Sequence, residues 1–393
     1  MKRVAILGGG PAGAVAAERL AAAGLRATVI DEKLAWEKPC GGGLTWKAYS
    51  QYPFLADNAT PKKVVTETFI AAPRAGAARM KLSRPLIIYS RYDLNRMLLE
   101  RAERAGAEIE KTRVLEMNRA AAGWRLKTRA GTIEADYCVV ATGARNSLRE
   151  VGTEWRAGDA MYALGYYVPE SQNHIDIQFL PDLEGYIWVF PRCGHLSVGI
   201  CGKGKPAAAL RQQLERYMDE KSIPRRDATF YGHMLPALEG PAWKRNRVAG
   251  EGWLAAGDAA GLVDPITGEG LYYAMRSGDL ASRVILDDSH APAAKEQAYR
   301  SLIARDFADD LAFGASLAKR VFRGSFLLQS VPARMVQFMR RSPRFQDLMQ
   351  DLFAGTQSYA DLRARLFKNL NGTLHEIVMN FFFGRLIPDC NRT

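Results

Sequence analysis

Val4-Ala5-Ile6-Leu7-Gly8-Gly9-Gly10-Pro11-Ala12-Gly13 leads through an Ala-rich segment to Arg26-Ala27-Thr28-Val29-Ile30-Asp31, and these residues decide the fold of the N-terminal part. An apolar strand runs into Gly8, a helix follows to about Ala23, and a second apolar strand ends at Asp31. Each glycine has a separate task. Gly8 allows a tight turn, Gly10 lets the backbone approach a pyrophosphate, and Gly13 lets the helix pack close to the sheet. Pro11 and Ala12 open the helix, whose unpaired N–H groups and positive dipole end face the phosphates. Asp31, followed by Glu32, is placed to accept ribose hydroxyls. A GxGxxG alone is weak evidence, but strand, glycines, helix, strand and acid in register predict a dinucleotide site.

The 393 residues suffice for two or three domains of about 100–200 residues, and 48% apolar content supplies a core. No run approaches the roughly 18 apolar residues of a membrane span. Residues 1–7 pass into the first strand without a signal-peptide pattern, so the expected location is the cytoplasm. Five scattered cysteines, Cys40, Cys138, Cys193, Cys201 and Cys390, form no CxxC pair and indicate neither a disulfide framework nor a metal site.

The net charge of +12 is unevenly spread. From Ala315 to Gln346 there are seven cations (Lys319, Arg320, Arg323, Arg334, Arg340, Arg341 and Arg344) and no acid. Phe322, Phe326, Leu327, Leu328, Val331, Met335, Phe338 and Met339 are interleaved with them. The mixture suits helices lying on an anionic membrane surface, in this case the inner face, or a buried helical cap with a solvated basic rim. Nucleic acid is a poorer reading, because no binding motif accompanies the charge.

Along the chain, a Gly/Pro-bearing loop spans Lys38–Leu44, and a less regular segment follows to about Tyr89. A helix is predicted over Tyr92–Ala105, then short strands to Ala141. Residues 150–245 are mostly strand-like and aromatic, with one helix at about Ala207–Glu220. Gly202-Lys203-Gly204-Lys205-Pro206 mimics a second nucleotide loop but lacks its third glycine and acidic strand, and reads as a loop. The chain from about Pro292 is helical, with breaks at Pro332, Pro343 and Gly355.

The second strong signal is Gly257-Asp258, at the end of an apolar strand, followed by a loop from Pro265 through Gly268 to Gly270 that opens a helix. With the N-terminal fingerprint, this resembles the FAD-dependent oxidoreductases of the para-hydroxybenzoate hydroxylase type. The resemblance implies Asp258 on the ribityl chain and the Gly268–Gly270 helix start facing the flavin pyrimidine. It also implies Arg91 against the FAD phosphates and Val114 near the adenine. Residues 139–149, VVATGARNSLR, stand where hydroxylases carry Asp-Gly, whereas this chain has Thr142-Gly143.

Within that group the chain resembles the geranylgeranyl reductases. Pro39-Cys40-Gly41-Gly42 resembles their Pro-Cys-Gly-Gly loop beside the isoalloxazine, and Tyr186-Ile187-Trp188-Val189-Phe190-Pro191 resembles their prenyl-contacting motif. That motif continues as Gly-x-Gly, but here Gly199 is followed by Ile200-Cys201-Gly202, so a bulkier Cys201 narrows the predicted tunnel.

The fold expected is α/β with an α+β insert. It comprises a discontinuous Rossmann-like FAD-binding domain with a parallel sheet (1–149 plus 246–291, including the loop 38–44), a mainly antiparallel β substrate domain (150–245) and a C-terminal helical region (292–393). The expected reaction is reduction of C=C bonds in an isoprenoid chain or prenylated lipid by hydride from reduced flavin, with NADPH or a reduced ferredoxin-like protein as donor. An unactivated alkene needs protonation to lead or accompany hydride transfer. Cys40 is the first active-site candidate, Tyr186 and His195 follow, and the acid is unassigned. Tyr186, Trp188 and Phe190 are the candidate substrate contacts.

One rival is a flavin monooxygenase or halogenase, since Tyr186–Pro191 also resembles the halogenases' Trp-x-Trp-x-Ile-Pro; the lysine that halogenases need has its nearest candidate in Lys47, outside the loop. Another is a redox-silent FAD- or lipid-binding module.

Overall fold

The computed structural model describes residues 2–148, 151–289, 292–326 and 328–362, with 364–366, 368 and 372. Arg149, Leu327 and Cys390 lie outside the described residues. Two compact units are each assembled from separate segments. One takes the chain up to Lys38, Arg91–Ala160 and Met234–Ala312; the other takes Pro39–Ser90, Met161–His233 and the chain from Phe313 onward.

The first unit is built on a six-stranded sheet in the order Ala249–Gly250, Trp253–Ala255, Tyr137–Val140, Arg3–Leu7, Arg26–Ile30, Glu108–Glu110. All neighbours are parallel except the first pair. After Arg3 the central strand is apolar, as a strand covered on both faces must be: Val4, Ala5, Ile6 and Leu7 are all buried. Helix Pro11–Ala22 packs against helix Leu271–Leu286 so closely that a Cβ on Gly278 would lie 2.2 Å from the Ala12 carbonyl oxygen. A three-stranded antiparallel sheet, Val114–Arg119, Trp124–Thr128 and Gly131–Ala135, completes the crossover between parallel strands.

The second unit is built on an eight-stranded sheet in the order Thr229–Pro236, Ala160–Val168, Leu196–Lys203, Glu184–Pro191, Ile175–Phe179, Lys63–Ala72, Gly76–Ile88, Gly43–Leu44. On one face Ile187, Val189, Val198 and Ile200 pack against Leu210, Leu214, Tyr217 and Met218 of helix Ala207–Glu220. Each aliphatic side chain fully buried there contributes about 1.5–3 kcal/mol. The helix shows the apolar spacing of one buried face, and the sequence placed its boundaries correctly.

Two expectations are corrected. The segment read as irregular up to Tyr89 contains the long antiparallel hairpin Lys63–Ala72/Gly76–Ile88. The alternation of buried Val65, Thr68, Ile70 and Ala72 was its signal, interrupted by a register shift between Val65 and Glu67. The three-segment division changes as well. Gly43–Leu44 pairs with Ile87–Ile88, and Lys63–Ala72 pairs in parallel with Ile175–Phe179, so residues 39–90 belong to the β-rich unit. Helices Val331–Arg341 and Pro343–Phe353 pack on this same hairpin and join that unit, whereas Pro292–Ile303 packs on Leu271–Leu286 in the first.

The apolar set interleaved with the basic stretch is divided too. Phe322 and Met339 are buried, Val331, Met335 and Phe338 are half-buried, and Phe326 and Leu328 are exposed. Pro332 and Pro343 start helices rather than break them, where a missing N–H costs nothing. Among the described residues no helix is long and apolar enough to cross a membrane.

Candidate active site

In the first unit four motifs distant in sequence meet at one edge of the parallel sheet. Gly257-Asp258, Ala141-Thr142-Gly143, Gly8 and Asp31 each follow the carboxyl end of one of four adjacent parallel strands. Chain order runs in opposite directions on the two sides of Arg3–Leu7, which creates the crevice where such sheets bind ligands.

The glycines of the fingerprint separate by cause. Gly8 has φ 115°, and a Cβ there would lie 2.3 Å from the Ala141 carbonyl oxygen. A Cβ on Gly13 would lie 1.9 Å from the Gly8 carbonyl oxygen. These two are required by the chain's own packing. Around Gly10 no atom comes within 4 Å of the Cβ position, and the helix that it caps has no side-chain cap. Open space and uncapped N–H groups of Ala12 and Gly13, after Pro11, form a cradle for an anion.

Asp31 has a structural task that the sequence did not disclose. One carboxylate oxygen accepts the Gly9 N–H at 2.7 Å, and the other accepts those of Lys33 at 2.8 Å and Leu34 at 3.2 Å. The carboxylate thus fastens the Gly-rich loop to the next turn. Glu32 is held differently, by Arg113 at 3.4 Å and Arg129 at 3.1 Å. Val114, next to Arg113, is half-buried at the start of its strand.

Arg91 begins helix Arg91–Arg104, whose first N–H groups, of Arg91 and Tyr92, donate to the Glu37 carboxylate at 2.9 and 3.1 Å. Its guanidinium is buried and gives one bond to Asn95 Oδ1 at 3.2 Å, while Nε has no partner. A buried cation with an unsatisfied N–H fits an anionic ligand.

Asp258 pairs with Lys38 Nζ at 2.9 Å. Asp264 shapes the following loop: its side chain accepts the Ile266 and Thr267 N–H groups at 2.9 and 2.8 Å, and its carbonyl accepts that of Gly268 at 3.0 Å. Pro265 lies inside this turn, Gly268 takes φ 71°, and Gly270 caps helix Leu271–Leu286 without a side-chain cap. Thr142 Oγ1 donates to Asn146 Oδ1 at 3.3 Å, and Gly143 takes φ 80° with open space at its Cβ position.

In the second unit the loop of Cys40, Gly41 and Gly42 is fixed from beneath. The buried Arg192 donates to the Cys40 carbonyl and to that of Gly41 at 3.4 Å, and Ser197 Oγ donates to the Cys40 carbonyl at 3.0 Å. Tyr231 OH lies 3.0 Å from Ser197 Oγ, and burial raises its phenol well above the usual range, keeping it protonated. Cys40 Sγ accepts the Gly42 N–H at 3.3 Å. Gly42, at φ 82°, brings its Cβ position within 2.1 Å of the Tyr89 carbonyl oxygen.

Strand pairing puts Tyr186, Trp188 and Phe190 on the sheet face opposite the Ala207–Glu220 helix, in line with Cys201, Gly199 and Ser197 of the neighbouring strand. Phe190 lies under the loop, 3.2 Å from the Cβ position of Gly41. Trp188 lies on Gly199, where a Cβ would come within 2.2 Å of the indole. Cys201, buried beside Tyr186, has its thiol pushed up to about 11 by that burial. His195 stands edge-on to Tyr167 with ring centroids 5.3 Å apart, and its carbonyl accepts the Arg192 N–H at 2.8 Å. Lys47 lies in helix Trp46–Gln51, its N–H bonded to the Ala354 carbonyl at 3.0 Å.

Sequence reasoning missed Lys38, Glu37, Asp264, Arg192, Ser197 and Tyr231. Lys38 and Arg192 flank quoted motifs, but nothing in a sequence distinguishes a buried cation from a solvated one.

Residues 2–161 match the pyridine nucleotide-disulphide oxidoreductase family. The geranylgeranyl diphosphate reductase of Oryza sativa subsp. japonica is 30% identical over 329 residues, covering 73% of this chain and 67% of the rice protein. The chain belongs to the geranylgeranyl reductase family of FAD-dependent oxidoreductases.

The tobacco geranylgeranyl diphosphate reductase is 28% identical, covering 73% of this chain and 66% of the tobacco protein, so the chain spans about two thirds of these plant relatives. Among solved structures, a geranylgeranyl bacteriochlorophyll reductase-like protein of Thermoplasma acidophilum has a TM-score of 0.77 at 21% identity, covering 93% of this chain and 98% of its own. A flavin-dependent brominase has a TM-score of 0.70 at 17% identity, covering 94% and 99%. At such identity these two likenesses show the fold. The cradle at Gly10 and the unsatisfied Arg91 Nε fit the pyrophosphate of FAD, the cofactor of the family.

Proposed function

We propose that the protein reduces C=C bonds of an isoprenoid chain, free or attached to a lipid. FAD in its reduced form supplies the hydride. In this reading Gly10, Ala12 and Gly13 with Arg91 hold the pyrophosphate, Asp258 holds the ribityl chain, and the N–H groups after Gly268 and Gly270 face the pyrimidine end of the flavin. Asp31 is already spent on backbone N–H groups, so Glu32 is the carboxylate assigned to the ribose. Val114, Thr142, Gly143, Gly257 and Pro265 line the same site. NADPH or a small iron–sulfur protein is the proposed reductant.

The observation that carries the reading is the aromatic face of the second unit. Tyr186, Trp188 and Phe190 form one row, and Phe190 passes directly under the Cys40–Gly43 loop. Such a face binds an apolar chain and excludes water, so that a proton delivered to an alkene carbon is not lost to solvent. Arg192 and Ser197 hold the Cys40 carbonyl and leave its thiol out of those bonds, and the Cys40 thiol and the Tyr186 phenol are the proton donors proposed on this face.

The test is incubation with dithionite and geranylgeranyl diphosphate under anaerobic conditions, followed by mass spectrometry. The expected result is a mass gain in units of two hydrogens. Incorporation of oxygen or halogen in air would instead assign a monooxygenase or halogenase. Reduced flavin that no prenyl substrate reoxidises would indicate a redox-silent binding module.

A further inference from the structure

The segment from Gly324 to Ser330 joins helices Asp309–Arg323 and Val331–Arg341 through a small hairpin in which Ser325 pairs with Ser330 and Phe326 with Gln329. Hairpin turns are ordinarily made of Asn, Asp and Gly. Here the described residues at the turn include the apolar Phe326 and Leu328. Leu328 is 103% exposed and Phe326 39%. Leu328 takes φ 62°, a left-handed backbone that an L side chain adopts only at a cost.

The hairpin is tied to the following helix. Arg334 Nε donates to the Phe326 carbonyl at 3.1 Å, Gln337 Nε2 to Gln329 Oε1 at 2.7 Å, and the Phe326 ring meets Phe338 edge-on at 6.4 Å. Packing within the unit does not require these apolar side chains outside, because Ala333, Val336 and Met339 already supply the buried face of the following helix. Lys319, Arg320 and Arg323 stand exposed on the preceding helix, and no acid occurs from Ala315 to Gln346. An apolar prong with a collar of cations is complementary to a surface that is anionic outside and apolar within.

We infer that this hairpin inserts Phe326 and Leu328 into the headgroup–acyl boundary of an anionic bilayer, with Lys319, Arg320 and Arg323 on the lipid phosphates. The inference deepens the proposal of a lipid substrate, since it places the substrate's source at the membrane surface. It rests on that proposal for its purpose but not for its measurement.

Co-sedimentation with vesicles of mixed phosphatidylglycerol and phosphatidylcholine tests it without turnover. The wild-type chain is expected to bind at low salt, to release as salt rises, and to bind phosphatidylcholine vesicles far less. Phe326→Ser with Leu328→Asp should lower binding about tenfold or more, and Lys319→Gln with Arg320→Gln and Arg323→Gln about tenfold or more with most of the salt dependence removed. Thermal midpoints should match the wild type, since all five side chains are exposed. Vesicle binding equal to wild type in the Phe326/Leu328 variant, or equal wild-type binding to neutral vesicles, overturns the inference. So does absence of vesicle binding together with tip-dependent capture of a soluble protein. Normal vesicle behaviour with no reduction of any prenyl substrate would sink the proposed reaction and leave the hairpin assignment intact.

Discussion

Lys38 Nζ lies 2.9 Å from Asp258 Oδ2, between side chains that are 18% and 12% exposed. Lys38 gives this sheltered carboxylate a cationic partner and orients it, and in the proposed reading the carboxylate accepts hydrogen bonds from the hydroxyls of a ribityl chain. Lys38→Met should therefore weaken FAD retention by about 1.5–3 kcal/mol, the usual worth of a hydrogen bond to a charged group. Asp258→Ala should do so by a similar amount without unfolding the protein. If Asp258 acts through its charge, Lys38→Met with Asp258→Asn should lose less than the sum of the single variants. FAD release on dilution, followed by flavin fluorescence, reads all three. Full retention in Lys38→Met would make the pair a structural ion pair with no bearing on the cofactor.

Two glycines of the fingerprint should fail in different ways. Gly8→Ala places a methyl group 2.3 Å from the Ala141 carbonyl oxygen at φ 115°, so this variant is expected to lose the fold. Gly10→Val has open space for its side chain and an ordinary backbone conformation, so it should fold and lose FAD by filling the cradle. Circular dichroism and flavin absorbance on the purified proteins separate the outcomes. A yellow, stoichiometrically loaded Gly10→Val protein would move the pyrophosphate elsewhere.

The contrast between these glycines marks what the sequence could and could not disclose. Strand, glycine turn, helix and acid are local in sequence, so the parallel sheet and its motifs were legible. Asp31 was legible as the acid of the motif, but its bonds to Gly9, Lys33 and Leu34 depend on how the loop closes. The Lys63–Ile88 hairpin was obscured because a register shift breaks its alternation and Pro85 interrupts the second strand. Arg192 escaped notice for another reason. Its burial depends on carbonyls of residues more than a hundred positions away, which no local pattern encodes.

Cys40→Ala is expected to leave FAD bound and the thermal midpoint nearly unchanged, because Cys40 is only half-buried and its one side-chain bond is to Gly42 N–H. Turnover should fall severalfold or more. Arg192→Met should act on the same loop from beneath, freeing the Cys40 and Gly41 carbonyls, and should lower stability as well by leaving buried acceptors unsatisfied. Wild-type rates in Cys40→Ala would reduce this cysteine to a packing residue.

Stability should fall on the alkaline side. Burial raises the Cys201 thiol from 9.0 to about 11 and the Tyr137 and Tyr272 phenols from 10.0 to about 12. A group whose folded value is raised holds its proton more tightly in the folded state, so its contribution is complete below the unfolded value and is lost as pH rises through the folded one. The thermal midpoint should therefore hold up to about pH 9 and decline from there towards pH 12. At neutral pH an alkylating reagent should modify exposed Cys193 while sparing buried Cys138 and Cys201. Rapid alkylation of Cys201 in the folded protein would contradict its burial.

Cys201 also bears on chain length. It faces Tyr186 across one strand pair and Ala163 across the other, in the row where Gly199 makes room for the Trp188 indole between Trp188 and Gly165. A thiol in that row occupies volume that a second glycine would leave open, directly beside the aromatic face assigned to the prenyl chain. Cys201→Gly should therefore raise kcat/KM for a geranylgeranyl substrate relative to a farnesyl one. The shift expected is about tenfold, since one methylene-sized change in an apolar pocket is worth about 1–3 kcal/mol. The same glycine should cost about 0.5–1 kcal/mol of stability in a strand interior. Cys201→Ser, which keeps the volume, serves as the control and should leave the ratio near wild type. An unchanged ratio in Cys201→Gly, with the expected small loss of stability, would mean that the prenyl chain does not pass beside Tyr186.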